Sequence, residues 1–92
     1  MKTQIEKDIE KHLTNRVIEV GGEIRKVRWI GRRGAPDRLV MLPNRVVWVE
    51  LKAPGKHPES YQQREHDRMR RFGCDVIVID SIEGVEELLI GN

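Results

Sequence analysis

The sequence predicts an α/β domain in which helices cover the faces of a mixed sheet. Segments with helical or strand periodicity follow one another in the order helix, three strands, helix, strand and a C-terminal helix. The second and third strands are separated only by the short connection at Pro43-Asn44, which predicts an antiparallel hairpin. The helix before the fourth strand is long enough for a crossover connection, so the last strand can enter the sheet in the parallel sense.

Residues 4–20 are predicted to form an amphipathic helix, because apolar side chains recur at four-residue spacing. These side chains are Ile5, Ile9, Leu13 and Val17. Thr3 and Glu6 match a capping box, and Gly21-Gly22 ends the helix.

The three strands of the first half are predicted at 23–29, 37–42 and 45–51. The first alternates apolar and charged residues imperfectly, and a basic Gly-Arg-Arg-Gly loop at 31–34 follows it. The second and third alternate more regularly and form the hairpin.

The second half begins with a loop at 53–58, which contains two prolines and a glycine. A helix from Glu59 or Ser60 to Phe72 ends at Gly73, a favoured residue just beyond a helix end. The apolar run within 75–79 has the length of a buried strand. Ser81 is predicted to cap a final helix that ends at Leu89.

Length and composition indicate a single domain over residues 1–92. No apolar run approaches the roughly 20 residues of a membrane span, and no secretory signal opens the chain. We therefore expect no membrane association and a cytoplasmic location. Cys74 is the only cysteine, which excludes an internal disulfide, and the three histidines have no zinc-ligand spacing.

The net charge of +2 conceals a strong segregation of charge. All 17 Lys and Arg residues and 10 of the 15 acidic residues lie in residues 1–74, so this part carries +7. Residues 75–92 hold the remaining five acidic residues. A basic surface of this kind suits a nucleic-acid backbone, although solvated helix and loop faces explain the arginines that follow residue 60 about equally well. The basic residues predicted to contact DNA are Arg28, Arg32, Arg33, Arg38, Lys56 and Arg64.

Asp37 and the pair Glu50 and Lys52 are the candidate catalytic residues. Alternation along the third strand puts Glu50 and Lys52 on one face and the neighbouring Val49 and Leu51 on the other. If the hairpin forms, Asp37 reaches the same end of the sheet. Two carboxylates there can hold a hard divalent cation, as metal-dependent attack on a phosphodiester requires.

Two helical residues are candidates for the same place. Glu6 lies at the border of the apolar stripe of the first helix, where it can face the sheet, complete the capping box, or do both. Gln62 shares one face of the second helix with His66 and Met69, a pattern that by itself is typical of a surface or boundary pair.

Together, these residues resemble the VRR-NUC (virus-type replication-repair nuclease) domain of the PD-(D/E)XK nuclease superfamily. The resemblance rests on Gly34-Ala35-Pro36-Asp37, on Glu50-Leu51-Lys52-Ala53-Pro54-Gly55, and on Gln62 with His66, Met69 and Gly73. Glu6 in the first helix completes it. Each motif is weak alone, but the ordered set covers nearly the whole chain. Gln63 is adjacent, and the spacing to Met69 and Gly73 favours Gln62.

The resemblance implies a restriction-endonuclease-like core and phosphodiester cleavage that depends on Mg²⁺ or Mn²⁺. It implies that Asp37, Glu50 and the backbone carbonyl of Leu51 are metal ligands. Lys52 then orients or deprotonates the attacking water, and Gln62 holds Lys52, the water or the phosphate. Glu6 is implied to support the site or a second metal.

The resemblance also implies a substrate and an assembly. Small single-domain members of the family are viral and bacterial, which implies a bacterial or phage-infected cell for this chain. They resemble junction resolvases, which act as homodimers on four-way DNA junctions. A flap or nicking nuclease and a non-catalytic DNA-binding module on the same fold are the alternatives, and the intact acidic set argues against pure binding. A nucleotide-binding loop at Pro54-Gly55-Lys56 is disfavoured, because Glu50 and His57 replace the glycine and hydroxyl residues it requires.

Overall fold

The computed structural model describes residues 5–91 and has the predicted order of elements. The elements are α1 (Glu6–Glu19), β1 (Glu23–Lys26), β2 (Arg38–Leu42), β3 (Arg45–Leu51), α2 (Ser60–Arg71), β4 (Val76–Ile79) and α3 (Ile82–Leu89). The strands form one sheet in the order β1-β2-β3-β4. The first two pairings are antiparallel and β3 pairs with β4 in parallel, so the predicted mixed sheet is confirmed.

One face of the sheet carries the apolar core. Val47, Val49 and Leu51 of β3 are buried there, as the alternation predicted. They pack with the apolar stripe of α1 and with three residues of α3. The α1 and α3 residues of this core are Ile9, Leu13, Val17, Val85, Leu88 and Leu89.

The opposite face of the sheet carries Val46, Trp48 and Glu50 of β3 and is partly covered by α2. His66 and Met69 of α2 are buried, and they lie on the helix face that they share with Gln62. Trp48 on this face packs against Trp29, with ring centroids 5.0 Å apart. The carboxyl end of β3 therefore lies beside the first turns of α2.

The end of β1 and the start of α1 differ from the prediction by more than one residue. β1 ends at Lys26 rather than at Trp29, although the Val27 N–H still donates to the Asp37 carbonyl at 2.8 Å. The chain then leaves the sheet, and the Trp29 indole N–H donates to the Pro36 carbonyl at 2.9 Å. This contact closes the loop between β1 and β2.

The start of α1 differs as well. Glu6 is its first helical residue, and Ile5 occupies the N-cap position. The Asp8 carboxylate accepts the Ile5 N–H at 3.4 Å, so the reciprocal residue is Asp8 and not Glu6. Thr3 lies outside the described residues. The cap of α3 is as predicted, since the Ser81 hydroxyl accepts the Gly84 N–H at 3.0 Å.

The acidic C-terminal segment is partly neutralised by basic residues of other elements. Asp75 pairs with Arg45 at 2.6 Å, and the hydrogen bond from Arg45 lowers the pKa of Asp75. Glu86 of α3 accepts from Arg16 of α1 at 3.0 Å. In the described part of the chain no helix is long and apolar enough to cross a membrane.

The loop between β1 and β2 rests against the first turn of α2. Gly34 has a positive φ of 92°, and a Cβ built on it lies 2.9 Å from the Tyr61 carbonyl oxygen and 3.2 Å from the Gln62 Cα. Gly31 in the same loop also has a positive φ, of 77°, but a Cβ there meets nothing within 4 Å. Only Gly34 therefore requires both the unusual backbone conformation and the missing side chain.

We expect Gly34→Ala to lower the free energy of unfolding by more than Gly31→Ala. Both substitutions place alanine in the left-handed region, at about 1 to 2 kcal/mol. Gly34→Ala adds overpacking against the α2 backbone, which costs about 1 to 3 kcal/mol more. Urea denaturation of the two variants measures the difference. Equal losses would show that the loop does not rest on α2 in solution.

Candidate active site

Two carboxylates lie across from each other where β2 begins and β3 ends. The last recorded pair of this ladder joins Arg38 to Val49, so the next step of the register sets Asp37 opposite Glu50. Both then project to the face that α2 partly covers. The Asp37 side chain is 49% exposed and the Glu50 side chain only 13%. One open and one buried acid thus share the site.

The pKa of Glu50 is raised from its ordinary value of 4.5 to about 7. Burial is the largest cause, and the nearby carboxylates of Asp37 and Glu6 raise this pKa further. Lys52 and Arg38 oppose the shift. The structure therefore brings Glu6 within electrostatic reach of Glu50, and negative charge is concentrated at this point.

Lys52 is held in place by Gln62. The Lys52 Nζ donates to the Gln62 Oε1 at 2.8 Å, and the same oxygen accepts the Glu59 backbone N–H at 2.8 Å. Gln62 thus caps the start of α2 and fixes the ammonium with one atom. Gln63 points elsewhere, because its amide donates to Asp67 at 3.0 Å. The geometry favours Gln62 of the two adjacent glutamines, as the spacing did.

His66 is a site residue that the sequence reasoning treated only as a partner of Gln62. Its ring is fully buried, and its Nε2 lies 3.5 Å from the Glu50 Oε1. Neither ring nitrogen has a hydrogen-bond partner among the described residues. Burial lowers the pKa of His66, which favours the neutral ring. The signal in the sequence was its spacing of four from Gln62 and three from Met69 on one helix face.

Arg38 does not lie where a phosphate contact would need it. Its side chain is buried, with the guanidinium 2.7 Å from the Glu10 Oε2 and 2.9 Å from the Asp37 Oδ1. The expectation that Arg38 contacts DNA does not fit this position. Instead, Arg38 links α1 to Asp37 and orients that carboxylate. Glu10 was missed by the sequence reasoning, although it follows Glu6 at helical spacing of four.

The donor atoms at this point suit a hard divalent cation. Asp37 and Glu50 offer carboxylate oxygens. The Lys52 N–H donates to the Ile79 carbonyl of β4 at 2.9 Å, so by alternation the Leu51 carbonyl points to the β2 side, where Asp37 lies. Among residues 5–91 no three His, Cys, Asp or Glu side chains already converge as a ligand set. Mg²⁺ commonly binds through one or two carboxylates and keeps several waters, so the site fits such an ion.

The remaining predicted DNA contacts are exposed, and Arg28 and Arg32 line the cavity that contains Asp37. Arg28, Arg32, Arg33, Lys56 and Arg64 all reach solvent. The groove between the 31–34 loop and α2 is lined mainly by basic and aromatic side chains, among them Arg32, Arg33, Tyr61, Arg64, Arg68 and Arg71. The Arg33 guanidinium stacks on the Tyr61 ring at 4.0 Å.

Comparison with known proteins identifies the family. The chain is similar to a solved structure described as "VRR_NUC domain", with a TM-score of 0.83 and 38% sequence identity over 94% of this chain and 95% of that one. The chain belongs to the VRR-NUC family. A protein of Acyrthosiphon pisum secondary endosymbiont phage 1, "Putative nuclease p44", is 53% identical over 77 residues, which cover 83% of each chain. No protein-family model matches the chain.

These findings confirm the family that the motifs suggested and the nuclease fold that goes with it. This chain has the three helices and four-stranded mixed sheet of a VRR-NUC domain. The roles of Asp37, Glu50, Leu51, Lys52, Gln62 and Glu6 stay predictions.

In metal-free buffer at pH 8, we expect Glu50→Gln to raise the free energy of unfolding by about 1 to 3 kcal/mol. Because the folded-state pKa of about 7 exceeds the ordinary 4.5, the contribution of Glu50 to stability is complete below about pH 4.5 and is lost as the pH rises through about 7. Glutamine does not titrate and escapes this loss. Urea denaturation in EDTA at pH 5 and pH 8 measures the difference in free energy of unfolding between the variant and the unmodified protein.

The control for this experiment is Glu87→Gln, which removes an exposed carboxylate from α3. It should not change the pH dependence. Equal free energies of unfolding for the Glu50→Gln variant and the unmodified protein at pH 8 would contradict the raised pKa of Glu50.

Proposed function

We propose that this VRR-NUC domain is an endonuclease that uses Mg²⁺ or Mn²⁺ to hydrolyse phosphodiester bonds in branched DNA, above all in four-way junctions, and that it acts as a homodimer. The observation that carries the proposal is the meeting of Asp37, Glu50 and a Gln62-held Lys52 at one end of the sheet. The phage relative described as a nuclease supports the reaction class.

Asp37, Glu50 and the Leu51 carbonyl would hold the cation. When bound, the cation supplies charge stabilisation at the phosphate and lowers the pKa of the attacking water. Asp37 is oriented for this task by Arg38, which Glu10 fixes from α1. Glu6 adds negative charge nearby and supports the same site or a second ion.

Lys52 orients or deprotonates the attacking water. The hydrogen bond to Gln62 limits the positions of its ammonium group, and such preorganisation is what a water-positioning group needs. Because Gln62 is itself bonded to the Glu59 N–H, the start of α2 determines where Lys52 points.

The exposed arginines give the DNA a path to this site. Arg32, Arg33 and Arg64 line the groove beside α2, and Arg28 lines the neighbouring cavity that contains Asp37. Phosphate contacts of this kind supply affinity that depends on salt and not on sequence. The ion pairs of Asp75 and Glu86 with Arg45 and Arg16 reduce the repulsion that the C-terminal segment exerts on DNA.

A homodimer follows from the symmetry of the substrate. Resolution of a four-way junction requires two cuts on strands related by a two-fold axis, and a C2 dimer presents two sites with that relation. One domain of this size also offers little surface to grip opposed arms.

A panel of labelled four-way, flap, fork and linear duplex DNA, incubated with Mg²⁺, Mn²⁺ or EDTA, tests the proposal. We expect the four-way junction to be cut fastest, into paired nicked duplexes, and only with metal. Faster cleavage of flaps would favour the alternative of a flap nuclease. Binding without cleavage of any substrate would favour the alternative of a non-catalytic DNA-binding module. Sedimentation of the free protein and of its junction complex tests the dimer, which a monomer in both states would contradict.

We expect Glu50→Gln and Asp37→Asn to abolish cleavage while junction binding survives or tightens, since each removes a metal ligand and a negative charge that faces the phosphates. Cleavage rates with metal and isotherms of junction binding in EDTA measure the two effects. Glu87→Gln is the matched control and should cleave like the unmodified protein. If the cleavage rate of either site variant were within a few-fold of that of the unmodified protein, the substituted residue would not be a metal ligand of the active site.

We expect Lys52→Ala to lower the cleavage rate at saturating DNA by about 10²-fold or more, with little change in affinity, as for loss of a water-positioning or proton-accepting group. Lys56→Ala is the matched control. As an exposed phosphate contact, it should weaken binding and reduce the salt slope by about one, with the saturating rate unchanged. If the Lys52 variant instead showed the Lys56 pattern, Lys52 would be a phosphate contact.

A further inference from the structure

A second cleft, of about 490 Å³, lies between the chain after Trp29 and the C-terminal half of α2. Its apolar lining comes from Trp29, Ile30, Met69 and Phe72, and Cys74 completes it. Two of these side chains are left in water, since Ile30 is 93% exposed and Phe72 is 76% exposed. Single exposed apolar residues are ordinary, but two that border one cleft indicate a binding surface.

The rim of this cleft is basic. Arg32 and Arg68 line it, and the Arg68 guanidinium lies 5.8 Å from the centroid of the Phe72 ring. Glu65 is the acidic residue of the lining, and it is nearly buried, with an oxygen 3.7 Å from Arg32. An apolar floor with a cationic rim complements a ligand that combines a flat apolar surface with negative charge. A nucleotide has this combination in its base and phosphate.

The cleft shares lining residues with the cavity that contains Asp37. The neighbouring cavity also contains Trp29 and Arg32, and it extends past Gly34 to Asp37. A DNA strand that reaches Asp37 therefore has the cleft beside it. A fully paired duplex has no free base to place there, whereas the branch point of a junction or flap can supply one.

We propose that this cleft binds one unpaired base at the branch point of the DNA, stacked on Phe72 and Ile30, with Arg32 and Arg68 on the flanking phosphates. The inference rests on the proposed function and adds to it a source of specificity. Phe72 and Ile30 would distinguish branched DNA from linear duplex, a distinction that neither the metal ligands nor the arginines of the groove supply.

The test compares the affinities of Phe72→Ala and Ile30→Ala for a four-way junction and for a linear duplex of equal length, in EDTA so that no cleavage intervenes. Loss of base stacking should weaken junction binding by at least about fivefold, and duplex binding should hardly change. Ile18→Ala is the matched control, because Ile18 is 61% exposed on α1, on the opposite side of the sheet, and should leave both affinities unchanged.

A chemical double-mutant cycle tests the contact directly. An abasic site at the branch should weaken binding of the unmodified protein about as much as Phe72→Ala does, and the two changes together should cost little more than either alone. Arg68→Gln should reduce the salt slope by about one, whereas Phe72→Ala should leave that slope unchanged.

Equal weakening of junction and duplex binding by Phe72→Ala would overturn the inference, as would full additivity of that variant with the abasic site. A junction affinity of the Phe72→Ala variant equal to that of the unmodified protein would overturn it too. Loss of self-association in sedimentation, with DNA affinity per dimer unchanged, would also overturn it and assign the cleft to contact between two copies.

Failure of the proposed function has another signature. The protein would then bind junctions through Phe72 yet cleave none with Mg²⁺ or Mn²⁺, and absence of any DNA binding would refute both.

Discussion

The register between β2 and β3 is the constraint on which the rest of the site depends. Val47, Val49 and Leu51 are committed to the core. By alternation, Glu50 within β3 and Lys52 directly after it must then face the other way. A slip of one residue would put Glu50 among the apolar side chains of α1 and α3. The apolar core thus determines the position of the candidate catalytic carboxylate, although no core residue is a candidate for the chemistry.

This placement is unfavourable for Glu50 itself. Its carboxylate is taken out of water beside Asp37 and near Glu6, and its pKa rises to about 7 as a result. The neighbouring His66 is buried with both ring nitrogens lacking a hydrogen-bond partner in the described chain. Local strain of this kind is expected where a site awaits a ligand, and the surrounding core must compensate for it. A divalent cation between the carboxylates would remove the repulsion and leave the buried ring as their packing support.

The parts that the sequence could predict are those that depend on local pattern. Alternation in β3, the hairpin at Pro43-Asn44 and the Ser81 cap each follow from neighbouring residues, and the motifs around Asp37, Glu50 and Gln62 sufficed to suggest the family. The predictions that do not fit the structure concern features that depend on long-range contacts. Nothing near Arg38 in the chain shows that Glu10 will meet it, 28 residues away, and convert a candidate DNA contact into a buried support. The early end of β1 likewise depends on the hydrogen bond from the Trp29 indole to the Pro36 carbonyl and on the packing of Trp29 against Trp48.

The helix α2 connects the chemistry with the recognition of the substrate. Its first turn fixes Lys52 through Gln62 and touches the loop at Gly34, its middle places His66 under Glu50, and its last turns present Arg68 and then Phe72 at the cleft. Because one helix carries all of these contacts, a shift of α2 along the sheet would move both Lys52, through Gln62, and the cleft at Phe72. DNA bound in the cleft as proposed would therefore also bear on the helix that holds Lys52. Under the proposed function, this coupling would give a 92-residue chain a physical means of linking recognition of a branch point to cleavage beside it.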